Sequence, residues 1–219
     1  MSAAPLGRNC KRWAMLVGAM RLVEEIDVID AGGAKASPVV SQALSEVRLA
    51  IGAVVWPPEA SSFTIHPEKH GNGVGPIKLA FIASLLDQGW LQENPFPVAG
   101  VLGGAAFGPL DVAKVIDQDI VAIEWETGNI SSSHRAMNKM AIGLRRGVLF
   151  AGVLIVPTKD MASFLTDRIG NVYELRSYVE HWHSVPVKTG YLGIWAIEHD
   201  GKSRDVPIIP KATDGRALR

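Results

Sequence analysis

The residues whose types and spacing could do chemistry lie within 110–129, LDVAKVIDQDIVAIEWETGN. Side chains two apart on an extended strand share a face, so Ala122, Glu124 and Glu126 would point one way and Val121, Ile123 and Trp125 the other. Two carboxylates then stand about 6 to 7 Å apart on an otherwise hydrophobic strand, and burying them unpaired costs several kcal/mol unless a cation or proton compensates. A divalent metal is the natural compensation. Asp111, on the strand before, would be carried close to Glu124 by a hairpin turning at Asp117-Gln118-Asp119, and could be a third oxygen ligand. Oxygen-only ligation completed by waters suits Mg²⁺. Such a site can acidify a bound water and stabilise the charge that develops on a phosphodiester during in-line displacement. The bland alternative makes Glu124 and Glu126 the solvent face of an edge strand with Trp125 in the core. Asp117 and Asp119 read as turn residues.

The segment that follows is the chemical opposite. From Asn129 to Arg146 there is no acid, and a helix over 131–144 would carry His134, Arg135, Asn138 and Lys139, with Arg145 and Arg146 at its end. Asn129 and the serines Ser131, Ser132 and Ser133 can cap that helix, whose first N–H groups form a ready phosphate site. A solvated cationic face is the competing interpretation.

These residues need elements to hold them. Apolar positions Trp13, Leu16, Val17, Met20, Val23 and Ile26 recur at helical spacing up to Ala31-Gly32-Gly33, predicting a first helix. Ser37-Pro38 opens a second, with Val40, Leu44, Val47 and Ile51 as its stripe up to Trp56-Pro57-Pro58, and a third runs from Val74-Gly75-Pro76 to Gly89-Trp90. The polar stretch 57–73 between them reads as a loop. Strands over 110–116 and 120–127 form the hairpin, followed by the basic helix, a strand over 149–156, a helix over 171–182 and a strand over 192–198. The layout is mixed α/β.

Composition sets outer bounds. With 219 residues, 47% hydrophobic and 20% charged, the chain is no collagen, coiled coil or disordered tail. Its formal net charge of zero removes the basic footprint that first suggests a nucleic-acid partner. Cys10 is the only cysteine, so neither an intrachain disulfide nor a cysteine-based zinc site can form, which fits a reducing cytoplasm. The apolar stretch 13–20, preceded by Arg8, Lys11 and Arg12, is too short to span a bilayer and lacks a cleavage site before Glu24-Glu25, so no membrane partner is expected.

An Asp on one strand and an acidic pair with one residue between on the next resemble the catalytic core of the PD-(D/E)XK nucleases. More narrowly, EWETGNISSSHRAMNKM resembles the active-site strand and following helix of BamHI/BglII-type restriction endonucleases. GNGVGPIKLAFIASLLDQGW upstream, GVLIVPTKDM after the helix and NVYELRSYVEHW near the end agree, so the likeness covers roughly residues 70 to 200. It implies a mixed central sheet flanked by helices and a single nuclease domain over 1–219, with N-terminal helices (1–56), a catalytic core (74–200) and a loose tail (201–219). It also implies a homodimer that cleaves double-stranded DNA at a short palindromic site with Mg²⁺, a GATC core among the candidates, and a cognate DNA methyltransferase in the same system.

By the same resemblance, Asp111 and Glu124 are the metal ligands and Glu126 the third catalytic residue. Glu126 stands where most of the superfamily has Lys, leaving no strand cation to orient the attacking water; it could instead hold the water or accept its proton. Asp117 rivals Asp111 as first ligand, and Asp111 is preferred because a strand supports it. Asn129 matches a position facing the major groove, with helix capping as its other use. Lys159 and Asp160 fall among base-contacting loops; Ser132, Ser133 and His134 belong to the DNA-facing helix start; Arg135 and Lys139 would bind phosphates or line the dimer interface. The alternatives are a repair or mobile-element nuclease using the same core, or a non-catalytic DNA-binding protein.

Three further signals weigh less. Gly71 to Gly75 lacks the Gly-Lys-Ser/Thr ending of a phosphate loop and reads as a flexible approach to the third helix, or as support for DNA or the metal site. His181 and His183 flank Trp182 without a third clustered metal ligand. Met137 and Met140 read as packing.

Overall fold

The computed structural model of the protein describes residues 19–92, 109–126 and 128–211. Cys10, Thr127 and the predicted helix before Ala19 lie outside them. Strands β1 (Arg21–Ala31), β3 (Leu91–Gln92), β4 (Val112–Ile116), β5 (Asp119–Trp125), β6 (Ala151–Pro157) and β7 (Gly190–Glu198) form a sheet of order β1-β7-β6-β5-β4-β3. The middle of the sheet, β5-β6-β7, is parallel, while β1, β4 and β3 join antiparallel. β6 is buried along its whole length, as a parallel strand covered on both faces requires.

Alternation along the strands divides two cores. Val121, Ile123, Trp125, Val153 and Ile155 pack with α1 (Pro38–Gly52) and α2 (Gly75–Leu86). Ala122, Leu154, Val156 and Ile194 pack with α3 (Ile130–Arg145), including Met137 and Met140. The mixed sheet with helices on both faces is as expected. Gly152 lets α3 lie close to β6, because a Cβ there would come within 2.9 Å of Met140 Sδ. Ser37 caps α1 by accepting from Val40 N–H, with Pro38 in the first turn.

Three expectations fail. Residues 21–31 are strand, not helix: bulges between Leu22 and Glu24 and between Asp27 and Ile29 break the two-residue alternation and leave apolar spacings that imitate a helix. The helix over 171–182 is broken into α5 (Val172–Leu175), a 3₁₀ turn (Arg176–Tyr178) and α6 (Val179–His183). As far as residue 211 the loose tail is built in: β8 (Gly201–Lys202) pairs in parallel with β2 (Thr64–Ile65), Trp56 Nε1 donates to Pro207 O at 2.8 Å, and Ile209 is fully buried. Asn72, from the Gly71 to Gly75 stretch, accounts for part of this, since its Oδ1 accepts from Ile209 N–H at 3.1 Å.

Candidate active site

The hairpin register pairs Val112 with Ile123, so Asp111, just before β4, stands opposite Glu124. Asp111 Oδ2 accepts from Trp125 N–H at 2.8 Å, which fixes its carboxylate against the end of β5. Asp117 instead occupies the hairpin tip with a left-handed backbone, φ 58°. β5 lies between β4 and β6, and Glu124 is only 9% exposed, so the edge-strand interpretation of Glu124 is overturned.

Glu126 follows the strand, its N–H donating to Ile155 O at 3.0 Å. Its Oε1 accepts from Gly128 N–H at 2.6 Å, and a Cβ on Gly128 would lie 2.9 Å from that same oxygen. The turn after β5 therefore closes tightly on the carboxylate, and a side chain at 128 would press on Glu126 and Ser132.

Cations reach this acidic end from both helical layers. Lys78, on α2, donates from Nζ to Asp111 Oδ1 at 2.7 Å. Lys139, on α3, ion-pairs with Glu124 and donates to Pro109 O at 3.0 Å. Burial first, and then the charge of Asp111, pushes the Glu124 carboxyl up to about 7 against the opposing pull of Lys139 and Lys78. The cleft encloses about 540 Å³, with Asp111, Glu124 and Glu126 on one side and Ser132, Arg135, Ala136 and Lys139 on the other. Those four recur at one face of α3, at intervals of three and four residues. Lys139 is buried on this face, so the solvated cationic face does not describe it, whereas Arg135, Arg145 and Arg146 are exposed as that interpretation expects.

The other predicted residues are dispersed. Asn129 caps α3, its side chain accepting from Ser132 N–H. Ser133 is fully buried. His134 stacks edge-on against Tyr178 at 4.2 Å. Lys159 lies over the Tyr173 ring, and Asp160 pairs with Lys202 at 2.7 Å; both sit on α4 (Lys159–Phe164), away from the cleft lining. His181 and His183 do not form a metal pair, since His183 Nδ1 bonds Val28 O at 2.9 Å and His181 is exposed.

The donor chemistry of the cleft fits a hard divalent cation: two carboxylates are driven together where little water reaches them, and both rely on ammonium groups for compensation. A tighter group, Asp160, Glu198 and His199, offers one ligand atom each within 4.8 Å of the others, but from α4 and the end of β7, outside the cleft lining. Its acids are already matched by Lys202, Thr158 and the His199 ring. Lys78 lies inside the GNGVGPIKLAFIASLLDQGW stretch but is not among the site residues read from the sequence, although a single charge in the otherwise apolar α2, GPIKLAFIASLL, is a usable signal.

The family description Restriction endonuclease BamHI matches residues 20–216. The chain is 44% identical over 197 residues to the type II restriction enzyme OkrAI of Oceanobacter kriegii, covering 90% of this chain and 99% of that one. It belongs to the BamHI family of restriction endonucleases. As a member it is an enzyme, a site-specific deoxyribonuclease, which sets aside the repair-nuclease and non-catalytic readings. The type II restriction enzyme BamHI of Bacillus amyloliquefaciens is 37% identical over 187 residues, 83% of this chain and 85% of its own. A crystal structure of the restriction endonuclease BglII complexed with a DNA 16-mer shares the fold of this BamHI-family chain with a TM-score of 0.54 at 12% identity, covering 81% of this chain and 78% of that one. Among the described residues no helix is long and apolar enough to cross a membrane.

Proposed function

We propose that this enzyme cuts double-stranded DNA at a short palindromic site as a Mg²⁺-dependent homodimer, working in the cytoplasm beside a cognate DNA methyltransferase. A GATC core is one of the sites that the resemblance raises. Asp111 and Glu124 would hold the ion. A divalent ion there would acidify a coordinated water and neutralise charge building on the phosphodiester. Glu126, steadied by Gly128 N–H, would orient the attacking water and accept its proton. Arg135, on the opposite wall, and the capped start of α3 would receive DNA phosphates. Asn129, Ser132, His134, Lys159 and Asp160 are candidate DNA contacts, with Asn129 suited to an adenine edge through its amide, whereas Ser133 is fully buried and drops out of the set predicted from sequence. Two-fold symmetry of a dimer would match a palindrome.

The observation that carries this proposal is the buried Glu124 carboxyl beside Asp111 on one wall of a cleft whose other wall carries Arg135 and Lys139. Digestion of unmethylated DNA with Mg²⁺, followed by end mapping, tests it. Discrete fragments with one sequence at every end are expected; random degradation or intact DNA would refute it.

A further inference from the structure

The strand motif brings no cation to this site. Glu126 occupies the position where the superfamily it resembles has Lys, and Lys114, the only cation between Asp111 and Glu126, is committed elsewhere. Its Nζ contacts both Glu46 carboxylate oxygens at 2.8 and 2.7 Å and Gln88 O at 3.0 Å. The ammonium that does face Glu124 comes from another element altogether. Lys139 lies on the face of α3 that carries Ser132 and Arg135, and it is 8% exposed, too buried for an ordinary phosphate-binding lysine.

We propose that Lys139 is a positioning residue of the nuclease site, replacing from α3 the cation missing from the strand by holding the Glu124 carboxylate in its working orientation. The Pro109 carbonyl accepts from the same ammonium at 3.0 Å, so the lysine is anchored between the loop before β4 and the carboxylate at the end of β5. Lys78 reaches Asp111 from the opposite face of the sheet, which leaves each carboxylate gripped by a lysine from a different helical layer. A purely structural buried pair could be exchanged for apolar side chains at little cost, whereas this pair lines the cleft where DNA must enter. The assignment rests on the nuclease reading above, and goes beyond it in naming a residue outside the motif.

The test compares Lys139→Met, Lys139→Arg, Glu124→Gln and the Glu124→Gln/Lys139→Met double variant with wild type. Three readouts are taken: thermal unfolding without metal, DNA affinity in Ca²⁺, and single-turnover cleavage in Mg²⁺. Lys139→Met should slow cleavage about a hundredfold or more while DNA affinity stays within about threefold, the split expected of a group that acts on the chemical step. Lys139→Arg should recover part of the rate. The drop in unfolding midpoint from Lys139→Met should largely vanish in the Glu124→Gln background, because coupled residues are not additive. Cleavage within about threefold of wild type would overturn the proposal, as would cleavage and DNA affinity falling in equal proportion, the signature of a phosphate contact. Equal midpoint drops in both backgrounds would overturn it as well. Failure of the wild type to cut any DNA would refute the proposed function; the midpoint coupling would still decide whether Lys139 holds Glu124.

Discussion

Two groups of acids sit along the same edge of the parallel strands, and they behave in opposite ways. Asp160, Glu198 and His199 are the tighter group, yet Glu198 is matched by neighbours. Burial pushes its carboxyl up, but the His199 ring and the Thr158 hydroxyl outweigh burial and hold it below the usual carboxylate range. Glu124 moves the other way, up to about 7, because burial and the charge of Asp111 outweigh the two lysines. Closeness of ligand atoms thus points to one group, whereas negative charge that the protein's own groups do not fully compensate, held against a cleft, points to the other.

That contrast can be broken by mutation. Glu124→Ala or Asp111→Asn should lower Mg²⁺-dependent cleavage about a thousandfold or more with DNA binding largely kept, whereas Glu198→Gln should leave the rate per folded enzyme within about threefold. Single-turnover cleavage beside DNA affinity in Ca²⁺ measures both. A collapse of the rate in Glu198→Gln would erase the distinction.

Titration separates the two groups next. Glu124 has its folded pKa raised from 4.5 to about 7, so between those values the folded protein holds a proton that the unfolded chain has lost, and its contribution to stability falls as pH rises through that window. Glu198 has a depressed pKa, so its contribution is present above 4.5 and is lost as pH falls through the folded value. Metal-free unfolding midpoints across pH should therefore lose the first component in Glu124→Gln and the second in Glu198→Gln.

Smaller effects sharpen the picture. Gly128→Ala places a methyl group against Glu126 Oε1 and should cost roughly tenfold in cleavage with little change in DNA affinity. Asp160→Asn breaks an exposed pair with Lys202 and should change stability by no more than about 1 kcal/mol in denaturant titration.

Much of the site is legible in the sequence because β5 obeys strict alternation: residue spacing alone separates Glu124 and Glu126 from Val121, Ile123 and Trp125, and the apolar Ala151–Pro157 run announces a central strand. β1 misleads because its bulges disguise the same alternation. Glu124's compensation is harder to see. Lys78 precedes Asp111 by 33 positions, and only the packing of α2 onto the sheet joins them. Lys139 is visible as part of a basic helix, but sequence spacing gives the face of a helix and not what that face meets. The packing of Ile209 against Asn72 likewise depends on contacts between distant segments, which makes the chain after Gly201 look loose in sequence.

The most direct test is to locate Mn²⁺ by anomalous scattering in crystals of the enzyme grown with DNA. A peak between Asp111 and Glu124, with none at Asp160, Glu198 and His199, is the predicted result. Mn²⁺ at the second group and none in the cleft would contradict the assignment of the catalytic centre.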